Sequence, residues 1–221
     1  MTNPLRIIIV GASGKMGQAL INEISKDPEL LLTGAIDQSS STDLGMDAGA
    51  LFGIKTDVII NDDFESTIKT GDYVIDFTRP EASMEYLEGC IKNNIKYVLG
   101  TTGFSDEEKE KISLASKDIP ICFAPNMSVG VNLLVSLVEA ATHVLHKDYD
   151  MEVIESHHRD KVDAPSGTAL RLGEAIAKTA NLNLEENGVF QRAGKIDKRK
   201  QNEIGFSTIR AGDIVGDHTV L

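Results

Sequence analysis

The sequence predicts an α/β chain in which a parallel sheet covered on both faces is followed by a second, α+β unit. Three observations carry this expectation. Short β-rich runs alternate with helix-like stretches through the first half, a glycine-rich turn follows the first run at once, and the alternation stops near residue 127.

The strand runs are LRIIIV (5–10), LLLTGAI (30–36), DVII (57–60), YVIDF (73–77), KYVLG (96–100) and IPICFA (119–124). Helices are expected over 14–26, 80–93 and 105–117. Pro80 suits a first helical turn, where a missing N–H is harmless, and Ser105 reads as an N-cap before the acidic run DEEKE. Beyond residue 127, SVGVNLLVSLVEAATHVL sets Leu133, Leu134, Leu137, Val138, Ala141, Val144 and Leu145 on one helical stripe. YDMEVIESHH then reads as a strand, a helix follows from about 166 to 180, and GFSTIRAG and DIVGDHTVL read as two more strands. The expected division is one domain over 1–127 and a second over 128–221. The chain ends on GDHTVL inside a strand pattern, so the C-terminal part of a longer protein is expected to be absent.

A net charge of −12 and a pI near 4.8 disfavour nucleic acid and anionic membranes as partners, so an anionic ligand needs a local cationic site. Cys90 and Cys122 have no disulfide or metal spacing and are expected to be buried free thiols. LRIIIV is too short for a signal core or a membrane span, which makes a cytoplasmic enzyme or binding protein the default. RAGKIDKRK (192–200) reads as a solvated basic loop.

The turn after the first strand is GASGKMG, with Gly11, Gly14 and Gly17 in a G-x-x-G-x-x-G spacing. Glycine there lets backbone approach a pyrophosphate, and the free N–H groups of the following helix face the anion. The second strand ends at Ile36, and Asp37 stands where a carboxylate accepts the adenosine ribose hydroxyls. Its charge favours NADH over NADPH, while Lys15 leaves room for the phosphorylated form. GTTG (100–103) and APNMSVG (124–130) lie at two more strand ends and suit a nicotinamide. The first domain is therefore expected to be Rossmann-type and to bind a dinucleotide.

The stretch ESHHRDKVDAPSGTAL (155–170) gathers His157, His158, Arg159 and Lys161 before a turn. Adjacent histidines on a strand face opposite sides, so no metal site is expected. Ser166 lacks the G-x-S-x-G setting of a nucleophile. Pro165 is placed to preset a first helical turn, and the N–H groups of Ser166, Gly167 and Thr168 are expected to cradle a carboxylate. Cations beside such amides suit a small dicarboxylate, and a His or Lys there can supply the proton that accompanies hydride addition. A structural histidine is the plainer alternative.

VGASGKMG, DFTRPE, GTTGF, NMSVGVN, ESHHRDKVDAPSGTAL and RAGDIVGDHT together resemble the 4-hydroxy-tetrahydrodipicolinate reductase (dihydrodipicolinate reductase) family across essentially the whole chain. The resemblance implies NAD(P)H-dependent reduction of 4-hydroxy-tetrahydrodipicolinate to tetrahydrodipicolinate, with loss of water, in lysine and diaminopimelate synthesis. It implies cofactor contacts at Gly11, Ala12, Ser13, Gly14, Lys15, Met16, Asp37, Gly100, Thr101, Thr102, Ala124, Pro125, Asn126 and Met127. His157 matches the family's proton donor and acceptor, Lys161 its catalytic lysine, and His158, Gly167 and Thr168 its substrate-holding positions. Arg159 receives no role. Gln38 stands where many members have arginine, which again favours NADH. Members form homotetramers and run several dozen residues longer. Two other readings are another two-domain dehydrogenase of amino-acid precursors and a catalytically silent dinucleotide sensor, which a Lys161→Ala variant separates from the reductase.

Overall fold

The apolar run of β1 (Leu5–Val10) is continuous because both of its faces are covered. Ile8 and Val10 join one buried cluster with Leu87, Cys90, Ile112 and Ala115, while Ile7 and Ile9 join another with Ile21, Ile24 and Ala35. The computed structural model describes residues 3–221. Its elements, in chain order, are α1 (Lys15–Ile24), β2 (Leu30–Ile36), β3 (Ile60–Asn61), α2 (Phe64–Thr67), β4 (Tyr73–Asp76), α3 (Pro80–Asn93), β5 (Lys96–Leu99), α4 (Asp106–Ala115) and β6 (Ile121–Phe123). The six strands lie in the order β3-β2-β1-β4-β5-β6, every pair parallel. That is the expected doubly wound arrangement, in which ligands gather beyond the carboxyl ends of the strands.

Local chemistry sets the ends of these helices. Ser105 and Glu108 form a reciprocal capping box on α4, Asp63 caps α2, and α3 starts on Pro80 and stops at Asn94 in the left-handed region. The run DVII contributes only Ile60 to a strand, since Val58 and Ile59 bridge to the loop at Asp47 and Ala48 instead. Cys90 is buried as expected, and burial pushes its thiol up to about 12. Cys122, by contrast, is exposed, because β6 is the edge strand of the sheet.

The chain divides into two compact units between Pro125 and Asn126. The second contains α5 (Val129–Leu145), β7 (Met151–His157), α6 (Gly167–Ala180), α7 (Leu184–Asn187), β8 (Gly188–Val189), β9 (Ile204–Arg210) and β10 (Asp217–Val220). Its sheet runs β10-β7-β9-β8, with β10 antiparallel to β7 and the other pairs parallel. Alternate residues of β7 are buried, and Val153 packs with Leu172, Ile176, Ile204 and Phe206 in the core of this unit.

The stripe expected on α5 is only partly buried. Val135, Val138 and Thr142 face the core, whereas Leu133, Leu137, Val144 and Leu145 are exposed. An apolar helical period marks a face, and here the buried side is rotated from the richest one. The basic loop is also less free than expected. Arg192 Nη1 donates to Glu152 at 2.9 Å and Arg199 Nε to the same carboxylate at 3.1 Å. Among the described residues no helix is long and apolar enough to cross a membrane.

Candidate active site

In the first unit, the loop after β1 is shaped by close backbone packing. Gly11 adopts φ +70°, and a methyl group on it would lie 2.8 Å from Thr78. A methyl on Gly17 would come within 2.2 Å of the Gly11 carbonyl, so α1 sits directly on the loop. Ala12 N–H donates to Ile36 O at 2.9 Å and Gly14 N–H to Gly11 O at 3.0 Å. Ser13 N–H donates to Asp37 Oδ2 at 2.6 Å. Gly14 brings no capping side chain to α1, and the N–H groups of Lys15 and Met16 find no acceptor among the described residues. These amides at the positive end of a helix fit a phosphate.

An open cleft of about 640 Å³ runs beside this loop, lined by Gly11, Ser13, Gly14, Asp37, Gln38 and Tyr86 among others. The donor set and the glycine cradle fit a dinucleotide, and Asp37 lines the same cleft. Beneath lies a buried polar network. Asp76 is fully buried and accepts from the hydroxyls of Thr78 and Tyr97 and from Thr101 Oγ1 at 3.3 Å. Thr101 thus turns its hydroxyl inward, also accepting from Ser83 at 2.9 Å, while Thr102 is exposed. Gly100 has no room for a side chain, because a methyl would overlap the Phe77 ring. Ala124 and Pro125 end this unit, and Asn126 and Met127 begin the next.

In the second unit, β7 delivers Glu155 and His157 to the same buried face, two residues apart. Glu155 is 1% exposed, and four donors reach its carboxylate. Arg210 Nη2 at 2.8 Å and Ser166 N–H at 3.1 Å reach Oε1, while Arg210 Nη1 at 2.8 Å and His157 Nδ1 at 2.6 Å reach Oε2. Burial alone would raise this carboxyl, but the bonds from Arg210, His157 and Ser166 outweigh it and hold the group at about 2. Glu155 is therefore ionised at neutral pH.

Ser166 is the N-cap of α6, which begins at Gly167, so Pro165 precedes the cap instead of entering the first turn. The three-amide cradle is corrected to two. Ser166 N–H is engaged by Glu155, whereas the amides of Gly167 and Thr168 find no acceptor among the described residues. Gly167 has open space at its Cβ position, and Asn126 Nδ2 reaches Thr168 Oγ1 at 3.5 Å. Lys161 Nζ pairs with Asp163 Oδ1 at 2.7 Å. Burial pushes the Asp163 carboxyl up, but its bond with Lys161 and a backbone N–H more than offset this and hold it below the usual range. His158 is half-buried with no ring hydrogen bond among the described residues, and Arg159 is exposed.

Glu155, Arg210 and His218 were not anticipated from sequence. The i, i+2 spacing of Glu155 and His157 on a strand was the available signal for the first. His218, on β10, bonds Ser166 Oγ through Nε2 at 2.8 Å and stacks edge-on with the His157 ring at 5.1 Å. Burial, reinforced by His157, lowers its pKa.

Comparison with known proteins converges on this geometry. The family described as "Dihydrodipicolinate reductase, N-terminus" matches residues 5–127, and "Dihydrodipicolinate reductase, C-terminus" matches residues 130–221. A 4-hydroxy-tetrahydrodipicolinate reductase of Nitrosomonas eutropha is 52% identical over 98% of this chain and 81% of its own length. One from Paraburkholderia phymatum is 49% identical over 98% of this chain and 82% of its own. The solved dipicolinate-bound dihydrodipicolinate reductase of Paenisporosarcina sp. TG-14 superposes with a TM-score of 0.75 at 25% identity, covering 99% of this chain and 83% of that one. An amine dehydrogenase of Mycobacterium smegmatis, at 15% identity and a TM-score of 0.60, shares the fold alone. A glycine loop that fits a dinucleotide in one unit, His157, His158 and Lys161 preceding a helix N-terminus in the other, and matches to both halves lead to one conclusion: the chain belongs to the dihydrodipicolinate reductase family.

Proposed function

We propose that the protein reduces 4-hydroxy-tetrahydrodipicolinate to tetrahydrodipicolinate, with loss of water, in lysine and diaminopimelate synthesis. The observation that carries this reading is the second-unit cluster, where Lys161, His157 and His158 accompany two open amides at a helix N-terminus. A ring with two carboxylates matches such a set of donors, and charge-assisted hydrogen bonds of this kind contribute roughly 1.5–3 kcal/mol each.

The first unit binds the reductant. Lys15 and Met16 N–H hold its phosphates, and Asp37 accepts its ribose hydroxyls. Gly11 to Gly14 let backbone approach, and the strand-end residues Gly100, Thr102, Ala124 and Pro125 receive the nicotinamide. When bound, that group supplies the hydride for ring C4. Asp37 and Gln38 support NADH as the preferred form, with NADPH also accepted.

The second unit orients the substrate and moves protons. His158, Gly167 and Thr168 hold the carboxylates, Lys161 donates a proton from Nζ, and His157 gives and takes one at Nε2. The family resemblance further supports a homotetramer working in the cytoplasm, a state that sedimentation of the purified chain tests. The function itself is tested by generating substrate freshly from pyruvate and aspartate semialdehyde and following NADH absorbance. Turnover that depends on both precursors is the expected result, and its absence would overturn the reading.

A further inference from the structure

Among the buried charges, one carboxylate has every acceptor site filled and only one of its donors belongs to the proposed proton machinery. Glu155 receives two bonds from Arg210, one from Ser166 N–H and one from His157 Nδ1. The guanidinium and the amide fix the carboxylate in plane, so His157 meets an acceptor that cannot rotate away. An ionised carboxylate offers no hydrogen, hence the Nδ1 atom of His157 must carry one. The other ring nitrogen, Nε2, has no protein partner among the described residues. It lies against Gly216, where a methyl group would come within 2.8 Å of Nε2.

We propose that Glu155, clamped by Arg210, is a positioning residue that holds His157 with its proton on Nδ1, leaving Nε2 as the atom that exchanges protons over Gly216. The inference rests on the reductase reading, in which His157 handles a proton. Its physical logic is that of a carboxylate behind a catalytic imidazole: the partner on one nitrogen sets the tautomer and aim of the other and stabilises the imidazolium. Arg210 neutralises Glu155, so the pair adds direction to the ring with little net charge. The ring also faces His218 from β10, which is hydrogen-bonded to Ser166 and leaves the Nδ1 and Nε2 atoms of His157 free of competition. Gly216 completes the device by keeping the exit from Nε2 open.

The decisive measurement needs no variant to fold. With ring-¹⁵N histidine in the parent protein, His157 in its neutral form should show a protonated Nδ1 and a bare Nε2; a neutral ring protonated on Nε2 overturns the proposal. Glu155→Gln should shift that tautomer and lower kcat by about 10²-fold with the KM for NADH near the parent value. Should Glu155→Gln fail to fold, Gly216→Ala takes its place, with a fall in kcat at unchanged cofactor KM expected. Parent-like kcat in the folded variant, with His157→Gln impaired, defeats the positioning role alone. Full turnover in His157→Gln removes His157 from the chemistry and the positioning role with it. Absence of turnover in the parent refutes the reductase reading and leaves the ring spectrum to decide the placement of the proton.

Discussion

The backbone N–H of Ser13 donates to Asp37 Oδ2 at 2.6 Å, tying the glycine loop to the end of the second strand. Asp37 Oδ1 also accepts from Gln38 N–H at 2.8 Å. The carboxylate is thus aimed by backbone before any ribose arrives, and its charge opposes a phosphate at the 2′ position. Asp37→Ala should lower kcat/KM with NADH by about 10–100-fold, the weight of hydrogen bonds to a charged group, while changing NADPH much less. A parent enzyme with strong NADPH preference would contradict this assignment.

Lys161 Nζ is held by Asp163 at 2.7 Å. Lys161→Ala should reduce kcat by about 10²–10⁴-fold with NADH affinity nearly intact, because the proposed proton donation acts in the transition state. Steady-state kinetics beside fluorescence titration of NADH separate the two quantities. Unchanged turnover would remove Lys161 from the mechanism.

Acid should destabilise the second unit through Glu155. Its carboxyl is held at about 2 in the folded protein against 4.5 for the ordinary group. A group with a depressed folded pKa stabilises the fold above its unfolded value, and that contribution is lost as pH falls from 4.5 toward 2. The contribution is of order 3 kcal/mol. Asp72 is also held at about 2, mainly by hydrogen bonds from Arg6, but that pair is exposed and screened by salt. A carboxyl NMR titration of Glu155 that shows an ordinary midpoint would refute the clamp.

Two glycines make opposite demands. Gly17→Ala drives a methyl to 2.2 Å from the Gly11 carbonyl, so α1 and the loop must part, with an expected loss of about 1–3 kcal/mol and weaker NADH binding. Gly167→Ala meets nothing within 4 Å and should keep the parent melting temperature while raising the substrate KM. Thermal melts and kinetics on the pair check both. Equal stability losses would show that Gly167 is needed for folding and not for the ligand.

Much of the first unit was legible because its signals are local. The run of β1 is apolar on both faces, the glycine turn follows at once, and Ser105 caps α4 within one turn of chain. The exposed face of α5 was not legible, since periodicity identifies an apolar stripe and says nothing about which neighbours cover it. In the candidate site, His157, Lys161, Gly167 and Thr168 were named from one contiguous stretch. Arg210 lies 55 residues from Glu155 and meets it only because β9 pairs in register with β7, which no local pattern encodes. A second contact of Glu155, across 11 residues of chain, takes the Ser166 amide out of the expected cradle.

Besides the helical bond to its carbonyl, Ser166 makes three bonds: its N–H to Glu155, and its Oγ to Ala169 N–H and to His218. Most helices fray from their ends, because the first amides open without disturbing anything else. This one is riveted at its N-cap to two strands, β7 and β10. Opening its cap means uncovering a buried charge, so local breathing there is coupled to wider loss of structure. In a deuterium-exchange map the amides of Ser166 and Ala169 should therefore exchange as slowly as the core of β7, islands of protection beside the freely exchanging Gly167 and Thr168.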